Sequence, residues 1–111
     1  MTLNDYQDLA IETDTYTQDN LGLSARFLGL TGEAGEAAEK AKKEIRDHSG
    51  NEFQDPDRNH AIMRELGDVL WYVASTAFRL GYTLEEVAQE NLDKVYDRKE
   101  RGVTHGSGDN R

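Results

Sequence analysis

Nowhere in this chain do apolar and polar residues alternate with a period of two for long enough to make a convincing strand. The apolar residues recur at intervals of three and four instead. That property predicts an all-α fold, and the helix-breaking residues divide it into four helices. The first spans about Leu3 to Thr17, with Tyr6, Leu9, Ala10, Thr13 and Tyr16 as its less polar side. Asn20 and Gly22 interrupt the pattern, and Ser24 is expected to cap a second helix running to about Asp47. Its stripe is Phe27, Leu30, Ala34, Ala37, Ala38, Ala41 and Ile45. Asp55-Pro56 reads as a cap followed by proline at the first helical position. The third helix then runs to about Leu80, on a stripe of Ile62, Leu66, Val69, Leu70, Val73, Ala77 and Leu80, with Gly81 as its C-terminal cap. Thr83 and Glu86 form a capping box for a fourth helix from Leu84 to about Arg101, ended by Gly102. From about residue 103 to 111 the chain is a polar tail.

A chain of 111 residues is expected to be one domain, residues 1–111, with a modest core. Only 36% of its residues are hydrophobic, and a small, polar, helical chain of this kind is expected to complete its core by oligomerising. The formal net charge of -9 argues against a basic nucleic-acid face and against anionic membranes. It would repel an anionic small molecule as well, unless divalent cations mediate the contact. The absence of cysteine excludes disulfides, thiolate zinc sites and cysteine nucleophiles. Asp5, Asp8, Glu12 and Asp14 are foreign to a signal peptide, and the longest apolar run, Val69 to Ala74, is far too short to span a bilayer. The expected location is the cytoplasm.

Acidic pairs three residues apart are frequent in this chain, and most are the solvated faces of helices. Two pairs have different surroundings. Glu33 and Glu36 sit among glycine and alanine, and Glu65 and Asp68 sit in Ile62-Met-Arg-Glu-Leu-Gly-Asp-Val-Leu-Trp-Tyr-Val73. At about 100° per residue, Glu33, Glu36 and Lys40 form one stripe beside the second helix's apolar face, and Glu65, Asp68 and Tyr72 form a matching stripe on the third. Where those faces pack, the two acidic stripes can meet. Four converging carboxylates repel one another and lose solvation, and a divalent cation offsets both costs. Oxygen-only donors favour Mg²⁺, with Mn²⁺ as a possible substitute, or Ca²⁺. Di-iron chemistry of the ferritin type needs Glu-x-x-His twice, and Asp57-Arg-Asn-His60 is the nearest match, once.

Within the second helix, Gly29, Gly32 and Gly35 each cost about 1 kcal/mol relative to alanine. They imply a close approach of another backbone, or a kink. On the fourth helix, Asn91, Lys94, Arg98 and Arg101 form a stripe that reads either as phosphate clamps or as ordinary ion pairing with surplus acids. The glycine-rich tail reads either as a phosphate wrap or as a flexible end. Trp71 is assigned to core or to a subunit interface, and His48, His60 and His105 to solvent.

Glu33-x-x-Glu36 followed by Glu65-x-x-Asp68 resembles the signature of the all-α nucleotide pyrophosphohydrolases, and most closely the short MazG-like proteins. Tyr6-Gln7, Gly29-Leu-Thr-Gly-Glu-Ala-Gly-Glu36, Asn91-x-x-Lys94 with Arg98, and the ending Arg101 to Arg111 extend the resemblance over nearly the whole chain. It implies an all-α, four-helix bundle-type core completed by homo-oligomerisation as a homodimer or homotetramer, and a Mg²⁺-dependent nucleoside triphosphate pyrophosphohydrolase that releases monophosphate and pyrophosphate in nucleotide house-cleaning. Glu33, Glu36, Glu65 and Asp68 would hold metal, and one of them or Glu39 would orient the attacking water. Lys94 and Arg98 would hold phosphates and Asn91 sugar or phosphate, with Tyr6, Gln7 and Tyr72 near the nucleoside. The alternatives are a hydrolase of another phosphoanhydride, such as an alarmone, and a regulatory bundle that binds nucleotide without turnover.

Overall fold

The computed structural model describes residues 1–111, and every regular element in it is helical: α1 (Leu3–Ile11), α2 (Asn20–Asp47), α3 (Pro56–Arg79) and α4 (Leu84–Glu100). The starts of α3 and α4 are the expected ones. The Asp55 side chain accepts from the Arg58 amide with Pro56 behind it, and Thr83 and Glu86 close a reciprocal capping box. Gly81 and Gly102 follow the ends of those helices with φ of 90° and 71°, the left-handed conformation that glycine adopts without penalty.

The connection between α1 and α2 differs from the sequence expectation. α1 opens on a capping box formed by Thr2 and Asp5 and stops at Ile11 rather than Thr17. Asp14 ends it: its carboxylate accepts from the Tyr16 amide and is drawn into an ion pair with Arg26 at 3.0 Å. Asp19, not Ser24, caps α2 by accepting from the Gly22 amide, which places Ser24 inside the helix. Gly22 is therefore no breaker. It is buried, and a β-carbon there would lie 1.8 Å from the carbonyl oxygen of Thr17.

α2 and α3 form an antiparallel hairpin, α1 packs against α3, and α4 packs against α1 and α3 but makes no contact with α2. The four helices thus do not close into a bundle within one chain. The tight core is small: Ala10, Ala74 and Leu84, with Tyr6, Trp71 and Val73 packed on it. Only 11 of 111 residues are buried, and the radius of gyration is 16.7 Å. A compact chain of about this length has a radius near 13 Å. The stripes expected to be interior are accordingly half open: Phe27, Ile45 and Leu66 are 47%, 57% and 57% exposed. No helix is long and apolar enough to cross a membrane.

Candidate metal and phosphate site

The α2/α3 hairpin holds a single antiparallel register along the helices. The ring of Tyr72 lies over Gly29, so close that a β-carbon on Gly29 would stand 2.2 Å from Cε1. Further along, Glu36 meets Glu65, and at the far end Arg58 donates to the buried carboxylate of Glu44. The carboxylates occupy the middle of this seam. Ligand oxygens of Glu33, Glu36 and Glu65 all lie within 4.8 Å of one another. Burial, followed by the charges of Glu36, Asp68 and Glu65, raises the pKa of Glu33 from its ordinary value. Asp68 is exposed and stands outside that group of three, although its charge reaches both Glu33 and Tyr6. Lys40, the next stripe residue along α2, lies 3.4 Å from Glu65. Glu39 is held by Lys42 at 2.9 Å and keeps a lowered pKa through that hydrogen bond, which makes it a weak base.

Above the carboxylates, Gly29 is small for a reason the sequence reading framed differently: it receives an aromatic ring, not a backbone. Gly32 and Gly35 have nothing within 4 Å of where a β-carbon would be. The Tyr72 hydroxyl is 2.8 Å from that of Tyr16. That hydrogen bond, then burial and neighbouring negative charge, push the Tyr72 pKa up to about 12. Trp71 packs edge-on against Tyr72 and donates its indole N–H to the Thr13 hydroxyl.

The loop that carries Tyr16 is anchored by residues the sequence reading did not single out. Arg26 is fully buried and donates to both carboxylate oxygens of Asp14, to the Ser75 hydroxyl, and to the carbonyls of Thr17 and Tyr16. Burial alone would raise the Asp14 carboxyl, but the Ser75 hydroxyl, the Tyr16 amide and Arg26 together hold it below its ordinary value. A signal was present in the sequence: an arginine one position before the apolar stripe of α2, and a serine inside Val73-Ala-Ser-Thr-Ala77 on α3.

Gln7 is engaged with the backbone of α3 and α4. It is buried, its amide nitrogen donates to the carbonyls of Ala74 and Tyr82, and its oxygen accepts from the Leu84 amide. These three hydrogen bonds secure α1 to α3 and to the α3–α4 turn. Asn91, Lys94 and Arg98 lie on α4, apart from α2. Lys94 and Arg98 share a carboxylate of the tail, Asp109, at 3.5 and 3.3 Å. The tail folds back: Arg111 donates to the carbonyls of Val103, Thr104 and Gly108. Arg98 is buried and its Nε has no hydrogen-bond partner.

The donor set at the seam is three carboxylates with a fourth nearby and no histidine or cysteine. That chemistry fits a hard, oxygen-preferring cation, which would also relieve the repulsion on Glu33. The family model of the MazG nucleotide pyrophosphohydrolase domain matches residues 23–103. The "Gene 37 protein" of Mycobacterium phage L5 is 46% identical over 116 residues, covering 100% of both chains. No solved structure matches. With both acidic pairs inside the matched segment and a full-length relative at this identity, the chain belongs to the MazG nucleotide pyrophosphohydrolase family.

Proposed function

We propose that this protein hydrolyses a nucleoside triphosphate, ribo- or deoxyribo-, to the monophosphate and pyrophosphate. Mg²⁺ would be held by Glu33, Glu36, Glu65 and Asp68. The observation that carries the reading is the convergence of three carboxylates within 4.8 Å on a seam that has no histidine or cysteine. Such a group is costly without a cation, and in a chain of net charge -9 it is a credible landing place for a polyphosphate only through one. When bound, the metal neutralises phosphoryl charge and lowers the pKa of a coordinated water.

The chain's own residues do the rest. The carboxylates orient the attacking water within the seam. Tyr72, fixed by Tyr16 and Trp71, walls one end of it and offers a ring to the nucleoside. Lys94 and Arg98 are the phosphate-holding cations, with Asn91 one turn away. In the isolated chain their ionic partner is Asp109, and they have none on α2 or α3. The open radius, the exposed Phe27, Leu66 and Ile45, and the gap between α4 and α2 support a homodimer or homotetramer. In it, α4 of one copy would lie over the seam of another and bring Lys94 and Arg98 to its phosphates.

The test is pyrophosphate release from a panel of ribo- and deoxynucleoside triphosphates, with Mg²⁺ or Mn²⁺ and with a chelator. Metal-dependent release with monophosphate as co-product is expected, and Glu36→Gln and Asp68→Asn should each abolish it with helical content unchanged. Full turnover in either variant would remove the site.

A further inference from the structure

The α2/α3 seam is chemically different at its two ends. At the Gly29 end are aromatic rings and the Tyr16–Tyr72 hydroxyl pair. At the other end is an open depression of about 270 Å³ whose lining includes Lys40, Lys43 and Arg58, and two carboxylates already paired with arginines, Glu44 and Asp47. The carboxylate group lies between them. From Gly29 to Lys40 the helix advances about 16 Å, at about 1.5 Å per residue.

The cations at this end divide into spent and available ones. Arg58 is bound to Glu44 and Asp55, Arg46 to Asp47, and Lys42 to Glu39. Lys43 has no ion-pair partner. Lys40 has one, Glu65, which is also one of the three converging carboxylates. Its side chain is 40% exposed, against 15% for Glu65. Lys40 therefore stands over the carboxylate group as a counter-ion that a bound cation would displace, leaving the ammonium group free at the edge of the depression.

We propose that the seam is directional. The nucleoside lies at the Tyr16–Tyr72 end and the two terminal phosphates at the Lys40 end, so that Lys40, with Lys43 beside it, holds the pyrophosphate half of the substrate. This rests on the pyrophosphohydrolase reading above and adds the orientation of the substrate and a residue that binds it. In the reaction, the oxygen of water forms a new bond to phosphorus and the α–β bridging P–O bond breaks. The electron pair of the broken bond stays with the departing oxygen, and one proton of the water passes by way of a carboxylate to solvent. Attack at either phosphorus flanking the bridge gives the same products, and in both cases the pyrophosphate half is on the Lys40 side.

The experiment is calorimetric titration of the full-length protein, in Mg²⁺, with pyrophosphate and separately with a nucleoside monophosphate. Loss of a charge-assisted contact to an anion should weaken pyrophosphate binding by about tenfold or more in Lys40→Gln, with monophosphate binding within about twofold of wild type. Lys40→Arg should recover most of the pyrophosphate affinity. Tyr72→Leu should do the opposite of Lys40→Gln, weakening monophosphate more than pyrophosphate. A residue that only balanced the charge of Glu65 would shift both products together through the metal, so the ratio of the two affinities is the deciding quantity. An unchanged ratio in Lys40→Gln, in a wild type that does release pyrophosphate, overturns the orientation alone. A wild type that neither releases pyrophosphate nor binds either product overturns the pyrophosphohydrolase reading, and this inference with it.

Discussion

Three glycines of one helix, replaced one at a time by alanine, should give effects of opposite sign. Alanine in place of glycine in a helix interior stabilises by about 1 kcal/mol, and nothing within 4 Å opposes a methyl group at Gly32 or Gly35. Gly32→Ala and Gly35→Ala should each raise the melting temperature by about 4–8 °C, the scale for 1 kcal/mol in a domain of about this size. At Gly29 the same methyl would stand 2.2 Å from Tyr72 Cε1 and 2.4 Å from Cζ, where ordinary contact begins at 3.4 Å. The ring would have to withdraw by more than an ångström from a place fixed by Tyr16 and Trp71. Overpacking of that kind costs about 1–3 kcal/mol, and the Tyr16–Tyr72 hydrogen bond, about 1 kcal/mol, would be lost with it. Set against the gain in propensity, Gly29→Ala should destabilise by about 1–3 kcal/mol. Thermal unfolding of all three variants, followed by circular dichroism at low protein concentration, is the assay. A Gly29→Ala variant as stable as wild type would refute the placement of Tyr72 on α2. Destabilisation at Gly32 or Gly35 would show that a second surface covers α2, and a melting temperature that rises with protein concentration would identify that surface as another copy.

Arg26→Met should cost about 3–5 kcal/mol in urea unfolding, because it strands a buried Asp14 carboxylate whose side chain has 0% exposure; a loss under about 1 kcal/mol would mean that the loop can open to solvate it. Since the folded Asp14 pKa is lowered, its stabilising effect is complete above the unfolded value of 3.8 and disappears as pH falls through the folded value. Stability measured from pH 5 down to 2 should therefore fall, and Asp14→Asn should be less stable at pH 7 with a flatter acid limb; an acid limb as steep as that of wild type would contradict this. Millimolar Mg²⁺ should raise the melting temperature of wild type by mass action, with about 2.7 kcal/mol of stabilisation at 100 times the dissociation constant. Glu36→Gln should lose that response, and retention of it would place the cation elsewhere.

The helices and their caps at Asp55 and Thr83 were legible in the sequence because each is a local event, decided within four residues. So was the convergence of Glu33, Glu36 and Glu65, since two amphipathic stripes of known pitch can meet in few ways. The end of α1 was not legible. It depends on Asp14 finding Arg26 and Ser75, residues 12 and 61 positions away along the chain. Periodicity continues through Thr13 and Tyr16 and gives no warning of that capture. The backbone partners of Gln7 were not legible for the related reason that they lie 67 to 77 positions away along the chain. Gly29, Gly32 and Gly35 together implied a close backbone approach or a kink, and only the structure shows that Gly29 alone is approached. What approaches it is a ring, and it brings Tyr72 and the loop bearing Tyr16 to the carboxylate seam.

The seam itself poses a physical question: why two helices remain paired across carboxylates that repel one another. The answer lies in what flanks them. On the Tyr72 side, Arg26 ties the α1–α2 loop to both helices through Asp14 and Ser75, in a network whose ion pair has no exposed side-chain surface. On the other side, Glu44 is 4% exposed and accepts from Arg58 of α3 and from the Phe53 amide of the connecting loop. Each clip is a buried charge with its hydrogen bonds made, so separating the helices would strand that charge, a cost of several kcal/mol per ion. The repulsion at the centre involves no fully buried group, since Glu33 and Glu65 are partly exposed and Glu36 is exposed, so water and Lys40 partly screen it. The strain therefore remains local: burial first, and then the neighbouring carboxylates, raise the pKa of Glu33, while the helices stay paired. A cation held there, as proposed, would meet carboxylates already brought together, and its binding energy would not be needed to assemble the site.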